Sequence, residues 1–475
     1  MVGCFSVLTS RRGRRVQEHD TASASPQQQV VELGRSMMEE EVAHPLLPAY
    51  SPPGVVPPFQ GAELAGVLKD LHQNIESTVF GLSGELRQLS LKMFEYKELA
   101  FEEFKTHDLF CDWFEDKFAK KAGWKVTRHA YRMKTAFSVE FEHRPKGHEG
   151  PIKTIGYNSE LDALPGVGHA CGHPLIAICG VASAIATADA LVKHNLPGKV
   201  VLLGTPAEEA GGGKCILLKN GAYEGMDVCL MAHPGPYSTV GSSLAVSSYR
   251  VTYTGKPAHA AAAPWEGINA LDAAVQAYVS MSTLRQQVPP SHRMHAVIKG
   301  DNLAVNIIPE EVVLLCNARA PTKVELEALI PRVKNCFEAG ALATGCKMDV
   351  KTTMSYLDLE NSTPMTDTFR HIMASKYDDV FQGIDMIGST DFGDVTYAVP
   401  SLHPLYSIPL TDPKGGANHT HQFEKDARTE AAHKKTLQVA VALALTGVKV
   451  AVDEEYAREV MQMFEDWKKG QRSSP

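Results

Sequence analysis

The spacing of hydrophobic residues changes along the chain in an order that predicts a mixed α/β fold. From about Ala62 the spacing is helical, and an aromatic stretch follows at mostly three- and four-residue intervals. Its large apolar residues are Phe101, Phe104, Leu109, Phe110, Trp113, Phe114 and Phe118. This spacing predicts a helix with one buried face. Strands are predicted next at 136–142 and 154–159, so this part of the chain is predicted to be helix, strand, strand.

Three predicted strands each end in polar residues that can do chemistry. The strands are 154–157, 199–204 and 228–232, and an alanine-rich helix at 175–192 lies between the first two. The polar residues at their ends are Glu160, Asp162, Glu208, Glu209 and His233. This order, with functional groups at the carboxyl ends, is typical of a doubly wound α/β sheet, whose ligand sites lie beyond those ends. We therefore expect these side chains to share one edge of the sheet.

After Gly241 the spacing predicts a strand, a helix, two strands, a helix and a strand. The predicted strands are 248–254, 293–299, 311–318 and 347–353, and the predicted helices are 268–285 and 323–344. This βαββαβ order is that of a ferredoxin-like domain. One side of the first helix carries Leu271, Val275, Tyr278 and Val279.

The α/β pattern resumes near Tyr356, so we interpret the ferredoxin-like segment as an insertion. The predicted division is a disordered leader at 1–60, an α/β domain in two parts at 61–246 and 356–468, an inserted domain at 247–355, and a tail at 469–475. Clusters of glutamine, glutamate and proline with little periodicity predict the leader.

The composition of the chain limits which binding partners and which cellular compartment are expected. A net charge of −8 without a long basic run argues against nucleic acid. We expect no membrane-spanning segment, because a window of about twenty apolar residues is not evident. Nine cysteines without a spacing pattern favour a reducing compartment. The cytoplasm is the predicted location, and a weak organelle-targeting signal in the arginine-rich N-terminus is the alternative.

The segment GVGHACGHP at 166–174 places two histidines and a cysteine among glycines. Cys171 and His173 cannot share a helix face, but a loop relaxed by Gly172 can turn both inward. A thiolate and an imidazole suit a soft divalent metal. Together with later segments, the candidate ligands are Cys171, His173, Glu209, His233 and His419. Five ligands of mixed type suit two zinc-like ions, and His169 is interpreted as structural.

Glu208 lies directly beside the candidate ligand Glu209. Adjacent side chains diverge, so one glutamate can bind metal while the other takes a proton from water. Glu208 is then the general base, and later the acid that protonates the leaving amine.

Five motifs in this order resemble those of the dinuclear-zinc aminoacylase and glutamate carboxypeptidase family of metallopeptidases. They are HACGH, PAEE, the histidine after Met231 and Ala232, the lid motif GKPAHAAAAPWEGINAL with NIIP, and the late NHT. Within the family, GHACGH resembles the amidohydrolase branch. The longer stretches DALPGVGHACGHPLIA and TDFGDVT resemble those of Xaa-Arg dipeptidase-like and aminobenzoyl-glutamate hydrolase-like proteins. The resemblance implies a catalytic α/β domain, an inserted lid or dimerisation domain, and hydrolysis of an amide next to a free carboxylate.

The resemblance also implies roles for individual residues. It supports the five ligands named above and Glu208 as the base, and it gives Asp162 the task of orienting a ligand. His259 matches a lid histidine that reaches the site of a dimer partner and stabilises the oxyanion. Asn306 and Arg319 fall at lid positions that could hold the substrate carboxylate. The implied assembly is a homodimer.

Two departures from the family pattern stand out. Pro174 replaces a polar residue after CGH, which removes a backbone N–H beside His173. The segment DFGD, beginning at Asp391, replaces DMGN, and we place it at the wall of the pocket.

The sequence thus predicts a metal-dependent hydrolase that cleaves small dipeptides or N-acyl amino acids by metal-activated water. Two divalent ions are expected, with zinc first and manganese or cobalt as alternatives. One alternative function is a thiol-dependent hydrolase in which His169 or His173 activates Cys171. The other is a non-catalytic binding protein on the same fold.

Overall fold

The computed structural model describes residues 62–118, 123–301, 303–385, 388–413 and 416–473. The predicted leader at 1–60 lies outside these residues. The described chain opens with three helices: α1 (Ala62–Gly81), α2 (Ser83–Tyr96) and α3 (Phe104–Lys117).

The predicted aromatic helix is α3, but its buried face begins later than the sequence suggested. Phe110 and Phe114 are fully buried. Phe101 precedes the helix at a φ of 65° and is 41% exposed, and Phe104 is 40% exposed. The prediction was wrong for these two residues, because the chain turns at Phe101 and places its ring against Gly211 instead of the core.

A six-stranded mixed sheet forms the centre of the catalytic part. Its strands in spatial order are β1 (Trp124–Arg128), β2 (Phe137–His143), β4 (Gly198–Thr205), β3 (Thr154–Glu160), β5 (Val228–Leu230) and β11 (Ser401–Leu402). The last four run parallel, whereas β1 and β2 pair antiparallel at one side. The carboxyl ends of β3, β4 and β5 therefore meet at one edge, as predicted. The edge strand β1 was not predicted, because its residues are exposed or only partly buried and the apolar pattern is weak.

Two long apolar helices, α4 (His173–Lys193) and α11 (Glu430–Val452), pack against each other. Both are long and apolar enough to cross a membrane, so the expectation that the chain has no such window was wrong. Their most apolar windows are 89% and 67% buried inside the protein. That burial indicates core helices, and α4 also packs on β3.

The remaining elements complete the catalytic part around this core. The strands β6 (His233–Gly235) and β12 (Leu405–Ser407) form a parallel pair. The helices are α5 (Gly213–Lys219), α8 (Thr363–Tyr377), α9 (Phe392–Thr396), α10 (His421–Ala427) and α12 (Glu454–Ser473). Because α12 continues to Ser473, the predicted tail at 469–475 is helical as far as that residue.

The inserted segment has the predicted βαββαβ order. Its elements are β7 (Ala245–Thr254), α6 (Ala270–Leu284), β8 (Arg293–Lys299), β9 (Glu311–Ala320), α7 (Lys323–Thr344) and β10 (Lys347–Tyr356). The four strands form an antiparallel sheet in the order β10-β7-β9-β8. Ala270, Ala273, Ala274 and Ala277 on α6 are buried, whereas Val275, Tyr278 and Val279 are 38–48% exposed. Three of the four apolar residues seen on this side in the sequence therefore face away from the domain core, whereas Leu271 packs against it.

Candidate metal centre

The candidate ligands converge at the carboxyl edge of the main sheet. Cys171 and His173 lie at the start of α4, and His233 begins β6 just after β5. Gly172 separates the first two at a φ of 94°, and a Cβ at this position would lie 2.5 Å from the Cγ atom of Pro234. Glycine is therefore required for the close approach that turns both side chains toward the same space.

Two groups of donor atoms share the Cys171 thiol. One comprises Cys171, His173 and His233, the other Cys171, Glu209 and His419, and the donor atoms of each group lie within 4.8 Å of one another. The Sγ atom of Cys171 is 3.2 Å from His233 Nε2. The Nε2 atom of His419 is 3.4 Å from Glu209 Oε1. All five predicted ligands thus come together, with Glu208 close to His173 and Glu209.

Asp162 fixes both the glutamate turn and the orientation of His173. Its two carboxylate oxygens accept hydrogen bonds from the backbone N–H groups of Glu208 and Glu209, at 3.1 and 3.0 Å. Its backbone carbonyl lies 2.6 Å from His173 Nδ1. A histidine that donates from Nδ1 presents the lone pair of Nε2 to the cluster, as a metal ligand requires.

Glu103 supports the same turn and was missed in the sequence. This buried carboxylate accepts a hydrogen bond of 2.9 Å from the backbone N–H of Ala207, which adopts a φ of 59°. Burial raises the pKa of Glu103 to about 7. The aromatic pattern around it drew attention to α3, and no local signal marked this glutamate as part of the site.

A second group comprises Glu160, Lys214 and Asp391, all fully buried, of which the sequence named the two acids but missed Lys214. The Nζ atom of Lys214 lies 2.6 Å from Glu160 Oε1 and 2.6 Å from Asp391 Oδ1. Glu160, Glu208 and Asp391 also bring their carboxylate oxygens within 4.8 Å of one another. This places Asp391 at the wall of the cluster, where the sequence put it. In the sequence, Lys214 follows three glycines and resembles an ordinary loop lysine.

The electrostatics of the cluster reflect an excess of negative charge. Burial raises the pKa of Glu208 well above its usual range, and Glu160 and Glu209 raise it further. Burial and then Glu209 raise the pKa of the Cys171 thiol. Burial favours neutral His173, yet Glu160 and Cys171 raise its pKa above its usual range. Divalent cations would offset this charge and favour the ionised ligands.

The donor atoms fit divalent cations by chemistry as well as by position. Among the described residues, His173 Nε2, Glu209 Oε1 and Glu160 Oε2 are buried without a hydrogen-bond partner. Buried polar atoms normally have a hydrogen-bond partner. Three atoms without one in the same cluster therefore indicate a site for a bound ligand. Sulfur, imidazole and carboxylate donors together suit zinc and similar ions.

The three predicted lid residues lie elsewhere within one chain. His259 and Asn306 are exposed, and His259 Nδ1 accepts hydrogen bonds from the N–H groups of Ala261 and Ala262. Arg319 donates to Ser389 Oγ at 2.7 Å. Within the parts of the chain that the structure describes, these three side chains make no hydrogen bond or ion pair to the cluster.

Two residues that the sequence singled out have structural explanations. Pro174 lies in the first turn of α4, where backbone N–H groups have no partner within the helix, so the missing N–H costs little. His169 is buried, and its ring meets Phe94 edge to face at 5.9 Å between centroids. This packing supports the structural interpretation of His169.

Comparison with known proteins identifies the family. The sequence model of the peptidase dimerisation domain of M20 enzymes matches residues 245–344, within the inserted segment. The chain is 40% identical to the Xaa-Arg dipeptidase of Mus musculus over 405 residues, covering 83% of this chain and 92% of that one. It is 24% identical to a p-aminobenzoyl-glutamate hydrolase chain of Escherichia coli, covering 83% of this chain and 95% of that one.

A solved structure gives the same result for the fold. A dinuclear metal-binding peptidase of the M20 family from Bacillus subtilis superposes with a TM-score of 0.58 at 19% sequence identity. The superposition covers 78% of this chain and 99% of that chain. The family expected from the motifs is thereby confirmed. Because the likeness to the mouse enzyme spans most of both chains, this protein belongs to the M20 peptidase family of metal-dependent amide hydrolases.

Proposed function

We propose that this enzyme uses two divalent ions, with zinc as the first candidate, to hydrolyse the amide bond of small dipeptides or N-acyl amino acids. The observation that carries the proposal is the pair of donor groups that share Cys171, with the carboxylate of Glu208 beside them. When bound, the ions would polarise the scissile carbonyl and make water a better nucleophile.

Individual residues of the chain have separate roles in metal binding, proton transfer, positioning and substrate binding. Cys171, His173, Glu209, His233 and His419 hold the ions in this proposal. Glu208, beside His173 and Glu209, takes the proton of the attacking water and returns it to the leaving amine. Asp162 orients His173 and the turn that carries both glutamates. His259, Asn306 and Arg319 act on the oxyanion and the substrate carboxylate.

The substrate class can be tested with a panel of amides. Metal-loaded enzyme should be assayed against dipeptides ending in arginine, lysine or glutamate, N-acetyl amino acids and p-aminobenzoyl-glutamate, with the released amine quantified. The first group is included because the mouse relative is an Xaa-Arg dipeptidase. We expect turnover of at least one class, and clearly slower turnover when the substrate carboxylate is blocked as an amide. Binding of the panel without any hydrolysis would favour the non-catalytic alternative.

The thiol-dependent alternative is less well supported by the geometry. A cysteine nucleophile needs a low pKa and access to the substrate. Cys171 is 7% exposed, and burial followed by the charge of Glu209 raises its pKa. The arrangement instead favours a thiolate that forms only on metal binding.

The homodimer is proposed through the inserted segment. On α6, Val275, Tyr278 and Val279 are exposed, and β8 leaves one edge of the four-stranded sheet unpaired among the described residues. An exposed apolar helix face beside a sheet edge is typical of an interface. A dimer would also allow His259 and Asn306 of one chain to reach the other's site.

A charge on this helix face should separate the chains. We expect wild-type protein to show twice the mass of one chain by light scattering, and Val279→Glu to show the mass of a single chain with reduced turnover. Val192→Glu is the matched control, because Val192 is equally exposed, at 48%, but lies on α4. A monomeric wild-type enzyme with full activity would contradict both the dimer and the role of His259.

The cytoplasm is proposed as the compartment. The eight cysteines within the described residues are all free thiols. Free thiols in this number support a reducing environment.

A further inference from the structure

Glu160 faces the candidate metal centre in a way that the five-ligand set does not explain. Its Oε2 atom lies 3.3 Å from Nε2 of His173, and both side chains are fully buried. Neither atom has a hydrogen-bond partner within the described residues. The two buried atoms therefore lie within ion-pair distance, which a protonated His173 would satisfy, but no hydrogen bond joins them.

The hydrogen bonds of the other atoms of these two side chains leave a lone pair on His173 Nε2 and on Glu160 Oε2, and both lone pairs face the space between the two residues. His173 Nδ1 is engaged by the backbone carbonyl of Asp162 at 2.6 Å, which leaves a lone pair on Nε2 in the neutral imidazole. The other oxygen of Glu160, Oε1, is held by Lys214 at 2.6 Å. Two facing acceptors in a buried space are unfavourable unless a positive charge lies between them.

Lys214 and Asp391 hold the Glu160 carboxylate in this orientation. The ammonium group of Lys214 lies 2.6 Å from one oxygen of each acid. The second oxygen of Asp391 accepts a hydrogen bond of 2.8 Å from the backbone N–H of Lys214. With one oxygen of Glu160 committed to Lys214, the other has only the cluster side left to face.

We propose that Glu160 is a sixth metal-binding residue of the centre, and that Lys214, anchored by Asp391, is the positioning residue that aims its free oxygen at the ion held by His173. The inference rests on the proposed function for the presence of ions, but it adds a ligand that the family motifs do not assign. It also explains why an entirely buried lysine lies next to a metal site: its charge stabilises two buried acids while leaving one oxygen free.

The test measures metal binding in addition to activity. Chelated protein is titrated with zinc in competition with a chromophoric chelator, and with cobalt while the visible absorption of the bound ion is followed. We expect Glu160→Gln to weaken the binding of one ion by at least about tenfold, the scale seen when groups around a metal are removed. The cobalt spectrum should change in its ligand-field bands but keep the thiolate charge-transfer band of Cys171.

Further variants separate ligation from folding. Glu160→Asp keeps the charge and should bind metal more tightly than Glu160→Gln. Lys214→Met should alter the same ligand-field bands, and Lys214→Arg should partly restore them. Asp358→Asn is the matched control, because this buried acid accepts hydrogen bonds from the backbone N–H of Lys323 and the hydroxyl of Tyr397, neither of which belongs to the cluster. It should leave the affinities and the spectrum unchanged, and thermal unfolding of each chelated variant monitors the fold.

The outcomes distinguish this inference from the proposed function. If wild-type protein binds no metal, the proposed function fails together with the inference. If wild-type protein binds two ions and Glu160→Gln binds both with unchanged affinity and spectrum, Glu160 is only the counter-ion of a protonated His173. That result would overturn the sixth ligand and leave the hydrolase assignment intact.

Discussion

Replacing Glu208 by glutamine is expected to lower kcat for amide hydrolysis by about 10³-fold, within the range that general acid–base groups contribute. Both ions should remain bound, because the backbone contacts of this turn do not involve the Glu208 side chain. The N–H groups of Glu208 and Glu209 are held by Asp162, and that of Ala207 is held by Glu103. Glutamine keeps the shape of the side chain but is neutral and cannot take a proton from water.

The kinetic pattern distinguishes a base from a structural residue. A lost proton acceptor lowers kcat and kcat/KM together, whereas a distorted site also releases metal. Glu360→Gln is a suitable control, because burial raises the pKa of Glu360 to about 7 but the residue lies outside the cluster. Single-turnover rates and metal content should be measured on all three proteins. A Glu208→Gln enzyme that turns over within tenfold of wild type would remove Glu208 from the role of base.

The elements that sequence spacing predicted well are those with a strong apolar pattern. Both β8 and α7 begin and end at the predicted residues. Nearly all residues of α4 are buried, so its continuous apolar run is a strong signal. The edge strand β1 lacks that signal, because it is covered only in part. On α6, apolar residues on the outer side were grouped correctly, but spacing alone does not say whether such a side meets the core or a second chain.

In the candidate site, too, some residues could be predicted from the sequence and others could not. Its candidate ligands could be named from the sequence because Cys171 and His173 lie in one glycine-rich segment and the others follow strand ends or a matching motif. Two supporting groups could not, since Glu103 and Lys214 come from distant segments and meet the cluster only in the folded chain, whereas Asp391 was placed at the pocket wall from its motif. A buried lysine is recognisable only once its carboxylate partners are placed around it. Candidate metal ligands are therefore easier to predict from the sequence than the hydrogen-bonding residues that orient them.

Removal of metal is expected to abolish hydrolysis and to lower the midpoint of thermal unfolding by several degrees. The donor atoms His173 Nε2, Glu209 Oε1 and Glu160 Oε2 are buried without partners, so the folded state without ions contains unmet polar groups and mutually repelling charges. An ion present at a hundred times its dissociation constant adds about 2.7 kcal/mol to the free energy of unfolding. Chelation should therefore destabilise the fold as well as stop the reaction.

The identity of the returning ion tests the donor set. Zinc, cobalt or manganese should restore both stability and activity after chelation, whereas magnesium, which prefers oxygen ligands and near-octahedral geometry, should not. The Cys171→Ser variant replaces the thiol shared by the two donor groups with a smaller and harder hydroxyl, which should bind the ions less tightly. Chelation should therefore change the unfolding midpoint of this variant less than that of wild type. Loss of bound ions would leave three buried donor atoms without partners, and that loss must lower the free energy of unfolding. An unfolding midpoint and a turnover rate that do not respond to chelation would therefore rule out a metal-dependent site at this edge of the sheet.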